Sequence, residues 1–250
     1  MIDVQNIHKY FGPNHVLKDV SVTFDEGKCN LIIGRSGSGK TVLMKCLVGL
    51  FTPEEGAILY DGRNFAEATN AEKKKIRQDI GMVFQGGALF DSLNCEENVS
   101  FPLTMFTNMS KAEIKDRVNY CMDRVNLVNA NKLYPSEISG GMKKRVAIAR
   151  AIALKPKYLF FDEPNSGLDP QTSIVIDELI AEITKEINAT TIINTHDMNS
   201  VFEMGEKIIF IHKGEKAWEG NSSQIAKSQN KELIDFIFAS NLLKRVQGTF

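Results

Sequence analysis

The stretch that most constrains this chain is CNLIIGRSGSGKTVLMKCLVGL, residues 29–50. CNLIIG reads as a strand buried on both faces, and TVLMKCLVGL reads as a helix. Between them lie Gly34, Arg35, Ser36, Gly37, Ser38, Gly39, Lys40 and Thr41. A strand, a tight glycine loop and a helix N-terminus in that order bring backbone N–H groups together on an anion. The glycines let the loop wrap so that its N–H groups point inward at a β-phosphate. Lys40 sets a positive charge against β- and γ-oxygens, and the Thr41 hydroxyl can ligate Mg²⁺.

Further candidates fall at the ends of other expected strands. YLFFDEP, residues 158–164, is a hydrophobic run that delivers Asp162 to a sheet edge, where it can hold Mg²⁺ directly or through water. Glu163 follows at once and can polarise an attacking water as a general base. Gln85, after the strand-like run in MVFQGG, is placed to reach the metal and that water. TTIINTHD, residues 190–197, reads as a strand ending at His196, where open α/β sheets bind ligands, so His196 can donate to a γ-phosphate. His8, His15 and His212 have no such setting and read as structural. A second phosphate-type grip stands in ISGGMKKR, residues 138–145, where a serine and two glycines precede a helix. One chain with two grips needs a reason.

The rest of the chain supplies the frame. VLKDVSVTF (16–24) alternates as a half-buried strand, and AILYDGRNF (57–65) reads as a hairpin turning at Asp61 and Gly62. From about residue 90 to 150 the β signals fade, and SKAEIKDRVNYCMDRVNLV (110–128) has helical periodicity with Ser110 and Glu113 as a capping box. This middle part reads as an inserted helical subdomain. The α/β pattern then returns with a helix over 170–187, a hairpin over 207–220 and a C-terminal helix over 231–246. A length of 250 residues accommodates one large α/β domain with such an insertion.

Composition excludes several classes. Thirty basic against 31 acidic residues give a net charge of −1, which argues against a nucleic-acid binder, and EKKKIR (72–77) reads as a solvated helix face. Cys29, Cys46, Cys95 and Cys121 are widely spaced with no Cys-x-x-Cys pair, which reads as buried thiols in a reducing compartment. The first residues, MIDVQNIHKY, carry no signal pattern, and no run approaches the roughly 18 apolar residues of a membrane span. A membrane role is therefore expected to come through a partner.

In order and spacing these motifs resemble the nucleotide-binding subunit of ABC transporters over roughly residues 2 to 220. The resemblance makes residues 34–41 the Walker A motif, Gln85 the Q-loop, ISGGM the signature loop, YLFFDE the Walker B strand, SGLD (166–169) the D-loop with Asp169, and His196 the switch histidine. It implies a P-loop NTPase: an α/β fold with a RecA-like core, an antiparallel β subdomain and an inserted helical subdomain. The ATPase domain would cover residues 1–222 and a helical extension residues 223–250. ATP and Mg²⁺ are the implied ligands, with Phe11 stacking on adenine and its neighbour Tyr10 packing elsewhere, and with Thr41, Gln85 and Asp162 at the metal. In the family two copies pack head to tail, which explains the second grip: Ser139, Gly140, Gly141 and Met142 would hold a γ-phosphate bound by the other copy. Met142 departs from the family's usual glutamine.

FQGGALFDSLNCEENVSFPL (84–103) and SGGMKKRVAIARAIAL look like the ATPase of the Mla, or lipid-asymmetry, group, which drives phospholipid transport in Gram-negative bacteria. That implies a homodimer on the cytoplasmic face of the inner membrane, an integral permease gripped around residues 90–103, a lipid-binding MCE-domain protein and a STAS-domain regulator. The alternatives are an ABC ATPase serving another substrate, a soluble ABC protein on ribosomes or DNA, and a non-hydrolysing clamp. A single cassette and the net charge speak against the second, and the presence of Glu163, Gln85 and His196 against the third. The C-terminal helix, with apolar Ile234, Ile237, Phe238 and Leu242, can fold back on its own domain or dock on a sister subunit or regulator.

Overall fold

The computed structural model describes residues 1–238. Strands β1 (Ile2–Phe11), β2 (Asn14–Phe24), β4 (Glu55–Tyr60) and β5 (Arg63–Asn64) form an antiparallel sheet ordered β2-β1-β4-β5. Strands β3 (Cys29–Ile33), β6 (Ile80–Val83), β7 (Tyr158–Asp162), β8 (Thr190–Asn194), β9 (Lys207–His212) and β10 (Glu215–Gly220) form a six-stranded sheet ordered β10-β9-β3-β8-β7-β6. All its pairings are parallel except that of β10 with β9.

Strand periodicity explains the layering. Leu31, Ile33, Leu159, Phe161, Ile193 and Phe210 face one core, while their alternates Ile32, Phe160, Ile192, Ile209 and Ile211 face another. The second core also holds Ile2, Val4, Val20 and Phe24 of the antiparallel sheet, and Leu43, Met44, Cys46 and Leu47 of helix α1 (Lys40–Leu47). Helix α1 is thus clamped between the two sheets, which fixes the glycine loop at its N-terminus. It stops short of the expected Leu50 because Gly49 turns the chain at φ +73°, where a Cβ would meet the Phe65 ring at 2.6 Å.

Helix α2 (Asn70–Gln78) exposes its charged face and buries Ile76 alone, as the EKKKIR run suggests. The insertion consists of α3 (Cys95–Phe106), α4 (Lys111–Arg124) and α5 (Gly140–Ile152), packed through Val99, Leu103, Val118, Cys121, Val146 and Ile148. Ser110 and Glu113 form the expected capping box on α4. The first core is covered further by α6 (Pro170–Glu186), α7 (Met198–Met204), α8 (Ser222–Ile225) and α9 (Lys231–Ile237). Of the two placements open to the C-terminal helix, its described part folds back on its own domain: Leu233, Ile237 and Phe238 are buried, and the Phe236 ring lies 5.5 Å from Phe210. Leu242 and the remainder of the expected 231–246 helix lie outside the described residues.

The four cysteines are free and buried, and burial pushes the Cys29, Cys46 and Cys121 thiols up to about 11. Among the described residues no helix is long and apolar enough to cross a membrane.

Candidate functional site

Strands β3, β6, β7 and β8 all end on one edge of the sheet, and the loops that leave them line an open cleft of about 1180 Å³. That is where ligands sit in open parallel sheets. The cleft brings together Gly34, Arg35, Ser36, Gly37, Gly39, Lys40 and Thr41 from the glycine loop with Gln85, Glu163 and His196.

The loop is built for an anion. Gly39 occupies the N-cap of α1 at φ +110° with no side-chain cap, so the first-turn N–H groups of α1 have no capping side chain. A Cβ at Gly39 would come within 3.0 Å of Leu17, so only glycine lets the loop pass this close to β2. Ser38 is buried, and its Oγ has no hydrogen-bond partner among the described residues. Lys40 is buried, and its Nζ donates to the Gly34 carbonyl at 2.8 Å and the Arg35 carbonyl at 3.3 Å. Burial lowers the Lys40 ammonium from its ordinary value, while the Glu163 and Asp162 carboxylates oppose that shift. An orphaned hydroxyl, an uncapped helix start and a lysine on its own loop form a cradle that fits phosphate oxygens.

The acidic edge stands opposite. Asp162 ends β7 half-buried, and its Oδ1 accepts from Asn194 Nδ2 at 3.0 Å. Glu163 follows at φ +51°, a left-handed conformation that costs a non-glycine residue on the order of 1–3 kcal/mol. Its N–H donates to the Asn194 carbonyl at 3.0 Å, and its carbonyl accepts from the Ser166 N–H at 3.2 Å. The twist sends the Glu163 carboxylate into the cleft, where Oε2 lies 2.8 Å from His196 Nδ1. Strand β8 ends at Asn194, two residues earlier than expected, because Asp197 caps α7 through the Asn199 N–H; His196 therefore stands on the connecting loop. Gln85 Nε2 donates to Ser166 Oγ at 3.3 Å. Asp162, Thr41 and Gln85 offer hard oxygen donors, the type Mg²⁺ takes when it is also bound by substrate phosphates.

Two sets of expected residues lie elsewhere. Ser139, Gly140, Gly141, Met142 and Asp169 line a separate cavity of about 600 Å³. There Ser139 caps α5 by accepting from the Met142 N–H at 3.2 Å, and Asp169 caps α6 through the Thr172 N–H at 3.0 Å. Phe11 ends β1 at 42 % exposure, edge-on to Phe51 at 5.3 Å, and is absent from the cleft lining. Its neighbour Tyr10 stacks on His15 at 4.1 Å, the packing role expected of it.

The structure adds residues that sequence reading passed over. Asn165 lines the cleft, and its Nδ2 donates to Asp177 Oδ1 at 2.8 Å and Ser200 Oγ at 3.1 Å, tying the loop after β7 to α6 and α7. Lys144, on α5, is 6 % exposed and reaches the Gln85 carbonyl. Phe236 and Ile237 of α9 close one side of the cleft. The available signal was the place of Asn165 directly after DEP.

Residues 17–166 match the family described as ABC transporter. The chain is 37% identical over 259 residues to the methionine import ATP-binding protein MetN of Campylobacter jejuni, covering 97% of this chain and 77% of that protein. It is 36% identical over 237 residues to the intermembrane phospholipid transport system ATP-binding protein MlaF of Haemophilus influenzae, covering 95% of this chain and 90% of that one. Among solved structures, a dimeric ATP-binding cassette in a post-hydrolysis state with ADP and Pi superposes with a TM-score of 0.80 at 34% identity, over 89% of this chain and 99% of that chain.

Proposed function

The chain belongs to the ABC transporter family and is an ATP-hydrolysing subunit that uses ATP and Mg²⁺, and on that premise we propose that its transporter moves phospholipid between the membranes of a bacterial envelope. The observation that carries this reading is the match to the phospholipid-transport ATPase, which spans 95% of this chain and 90% of that protein. The relative in methionine import is equally similar over 97% of this chain, so an amino-acid importer is the second reading.

In this reading residues 34–41 take the β- and γ-phosphates of ATP on the loop N–H groups, and Ser38 Oγ finds there the partner it otherwise lacks. Lys40 swings from its own loop carbonyls to the phosphate oxygens. Thr41, Asp162 and Gln85 would hold Mg²⁺, whose charge offsets the negative charge gathering on those oxygens. Glu163 orients the attacking water and accepts its proton, while His196 holds the Glu163 carboxylate and donates to the γ-phosphate. Phe11, exposed on β1 outside the cleft lining, is the proposed stacking partner of adenine. Most of the rate gain is positioning and charge neutralisation.

In this reading a second copy completes each site, and the place of the signature residues in a cavity of their own supports it. ATPases of this family act as dimers with membrane permease subunits. In the proposed dimer, Ser139, Gly140, Gly141 and Met142 present the N-terminus of α5 to the γ-phosphate in the other copy, with Asp169 beside them. ATP then bridges the pair and hydrolysis releases it.

The permease would rest beside the Q-loop, where Phe90, Phe101, Met105 and Phe106 are 42%, 38%, 60% and 48% exposed. The Phe90 and Phe101 rings meet at 4.7 Å, and Asn98 fixes the loop before them by bonding the Phe90 N–H at 2.8 Å and the Phe90, Leu93 and Asn94 carbonyls. Residues so apolar and so well held suit a protein partner. The proposed assembly sits peripherally on the cytoplasmic face of the inner membrane, with an MCE-domain protein and a STAS-domain regulator.

The deciding experiment is purification of the tagged chain from its native host in mild detergent. A co-purifying permease, an MCE-domain protein and bound phospholipid support the reading. A permease with an amino-acid-binding protein, and ATPase activity stimulated by methionine, would overturn it in favour of the second.

A further inference from the structure

Helix α5 carries two things at once. Its N-terminus is the signature loop, and about one turn later it buries a lysine under the hydrolytic site. Lys144 Nζ donates to the Gln85 carbonyl and lies 3.5 Å from the Glu163 carbonyl. Burial lowers this ammonium from its ordinary value, and the Glu163 and Asp162 carboxylates oppose the shift. No carboxylate forms a salt bridge with it among the described residues. A buried charge without an ion-pair partner is costly, so stability alone is a weak account of Lys144.

The same helix grips the rest of the Q-loop. Arg150 Nη2 donates to the Gly87 carbonyl and Nη1 to the Ala88 carbonyl, both at 2.8 Å. Gly87 and Ala88 both have positive φ, +76° and +45°, so this loop conformation depends on the side chains that hold it. Glu163 is strained in the same way at φ +51°. Lys144 reaches the backbone of both segments, at the Gln85 carbonyl and at the Glu163 carbonyl.

We propose that Lys144 is a positioning residue for ATP hydrolysis. Through its ammonium, α5 holds the backbones of Gln85 and Glu163, so that a shift of the signature loop in one site is passed to the two groups that face the attacking water in the other. A γ-phosphate of the neighbouring copy, gripped at Ser139, pulls on the N-terminus of α5. Lys144 moves with it and resets Gln85 and Glu163 in its own subunit. The inference rests on the assignment of Glu163 and Gln85 to the hydrolytic site and is independent of what the transporter carries.

The test uses the full chain and three variants: Lys144→Met, which keeps length and loses the donor; Lys144→Gln, which keeps a neutral donor; and Glu163→Gln as a reference. ATP titrations of steady-state turnover and thermal melts are measured for each. The expected result for Lys144→Met is a kcat lower by about tenfold or more, an ATP KM within about twofold of the parent, and a lower Hill coefficient in ATP. Its melting temperature is expected to be unchanged or higher, since removal of a desolvated charge is often neutral or stabilising. Lys144→Gln recovers part of the kcat. A parental kcat and Hill coefficient in Lys144→Met overturns the proposal, as does a kcat loss that Lys144→Gln fails to relieve and that tracks a lower melting temperature. If Lys144→Met does not fold, Lys144→Gln carries the test: a parental kcat and a parental Hill coefficient there, at a parental melting temperature, overturn it. Parental turnover in Glu163→Gln instead removes the site assignment beneath the proposal.

Discussion

His196 Nδ1 stands 2.8 Å from Glu163 Oε2, and the two side chains differ sharply in exposure, 67% for the histidine and 16% for the glutamate. The carboxylate is held by its neighbours while the imidazole keeps an open face on the cleft. A base fixed by a partner and sheltered from bulk water is the arrangement proton abstraction needs. Glu163→Gln is expected to bind ATP normally and to lose about 10²- to 10⁴-fold in turnover. It should also accumulate as an ATP-bound dimer in gel filtration with Mg²⁺ and ATP. Undiminished hydrolysis would remove Glu163 from the role of base.

Lys40 points at its own loop, on the carbonyls of Gly34 and Arg35, and must exchange these for phosphate oxygens. A hydrogen bond to a charged group contributes about 1.5–3 kcal/mol, so Lys40→Ala is expected to weaken ATP binding roughly 10- to 150-fold. Isothermal titration with ATP reads this directly. Lys40→Ala with parental affinity would contradict the phosphate-loop assignment.

What could be read from the sequence was what is local in the chain. The glycine loop is contiguous, and so is the Asp162–Glu163 pair; each announces its own chemistry with its flanking strand or helix. The signature loop was legible as a second grip, although only the family resemblance said whose phosphate it would hold. Lys144 was not legible, because lysines are rarely buried and its partners lie 59 and 19 residues away. The Asn165, Asp177 and Ser200 network was hidden for the same reason, since its members are separated by 12, 35 and 23 residues. Helix α3 escaped because Pro102 interrupts its pattern and because Phe101 and Phe106 face outward, which blurs the apolar stripe.

Asp177 provides a pH test of that network. It is 8% exposed, and burial, with Asp197 and Glu203 adding to it, raises its carboxyl above the ordinary 3.8, although bonds from Ser200 and Asn165 pull the other way. A raised folded value means that the folded protein keeps a proton the unfolded chain has lost. The associated stability is complete below the ordinary 3.8 and is lost as pH rises through the folded value. Asp177→Asn cannot titrate, so its melting temperature relative to the parent is expected to climb as pH rises above the ordinary 3.8 and through the raised folded value, and then to level. A constant offset across that range would show that Asp177 does not titrate in the folded protein.

The signature loop can be tested without disturbing the fold. A Cβ at Gly140 would meet only the Leu168 Cδ2 at 3.9 Å, so Gly140→Asp has room. A carboxylate in the first turn of α5 is also favoured by the helix dipole, which guards against simple unfolding. It would nonetheless set a negative charge where a γ-phosphate is expected, and turnover should collapse. Lys40→Ala should be inactive for a different reason, in the other half of the site. If the two halves belong to different copies, mixing the two dead variants forms heterodimers in which one site has an intact phosphate loop facing an intact signature loop. ATPase activity should then appear on mixing that neither variant has alone. It should rise with total protein faster than linearly at low concentration, because the active species is a dimer. If Ser139, Gly140 and Gly141 served the ATP of their own chain, each copy in the mixture would remain defective and no activity would return.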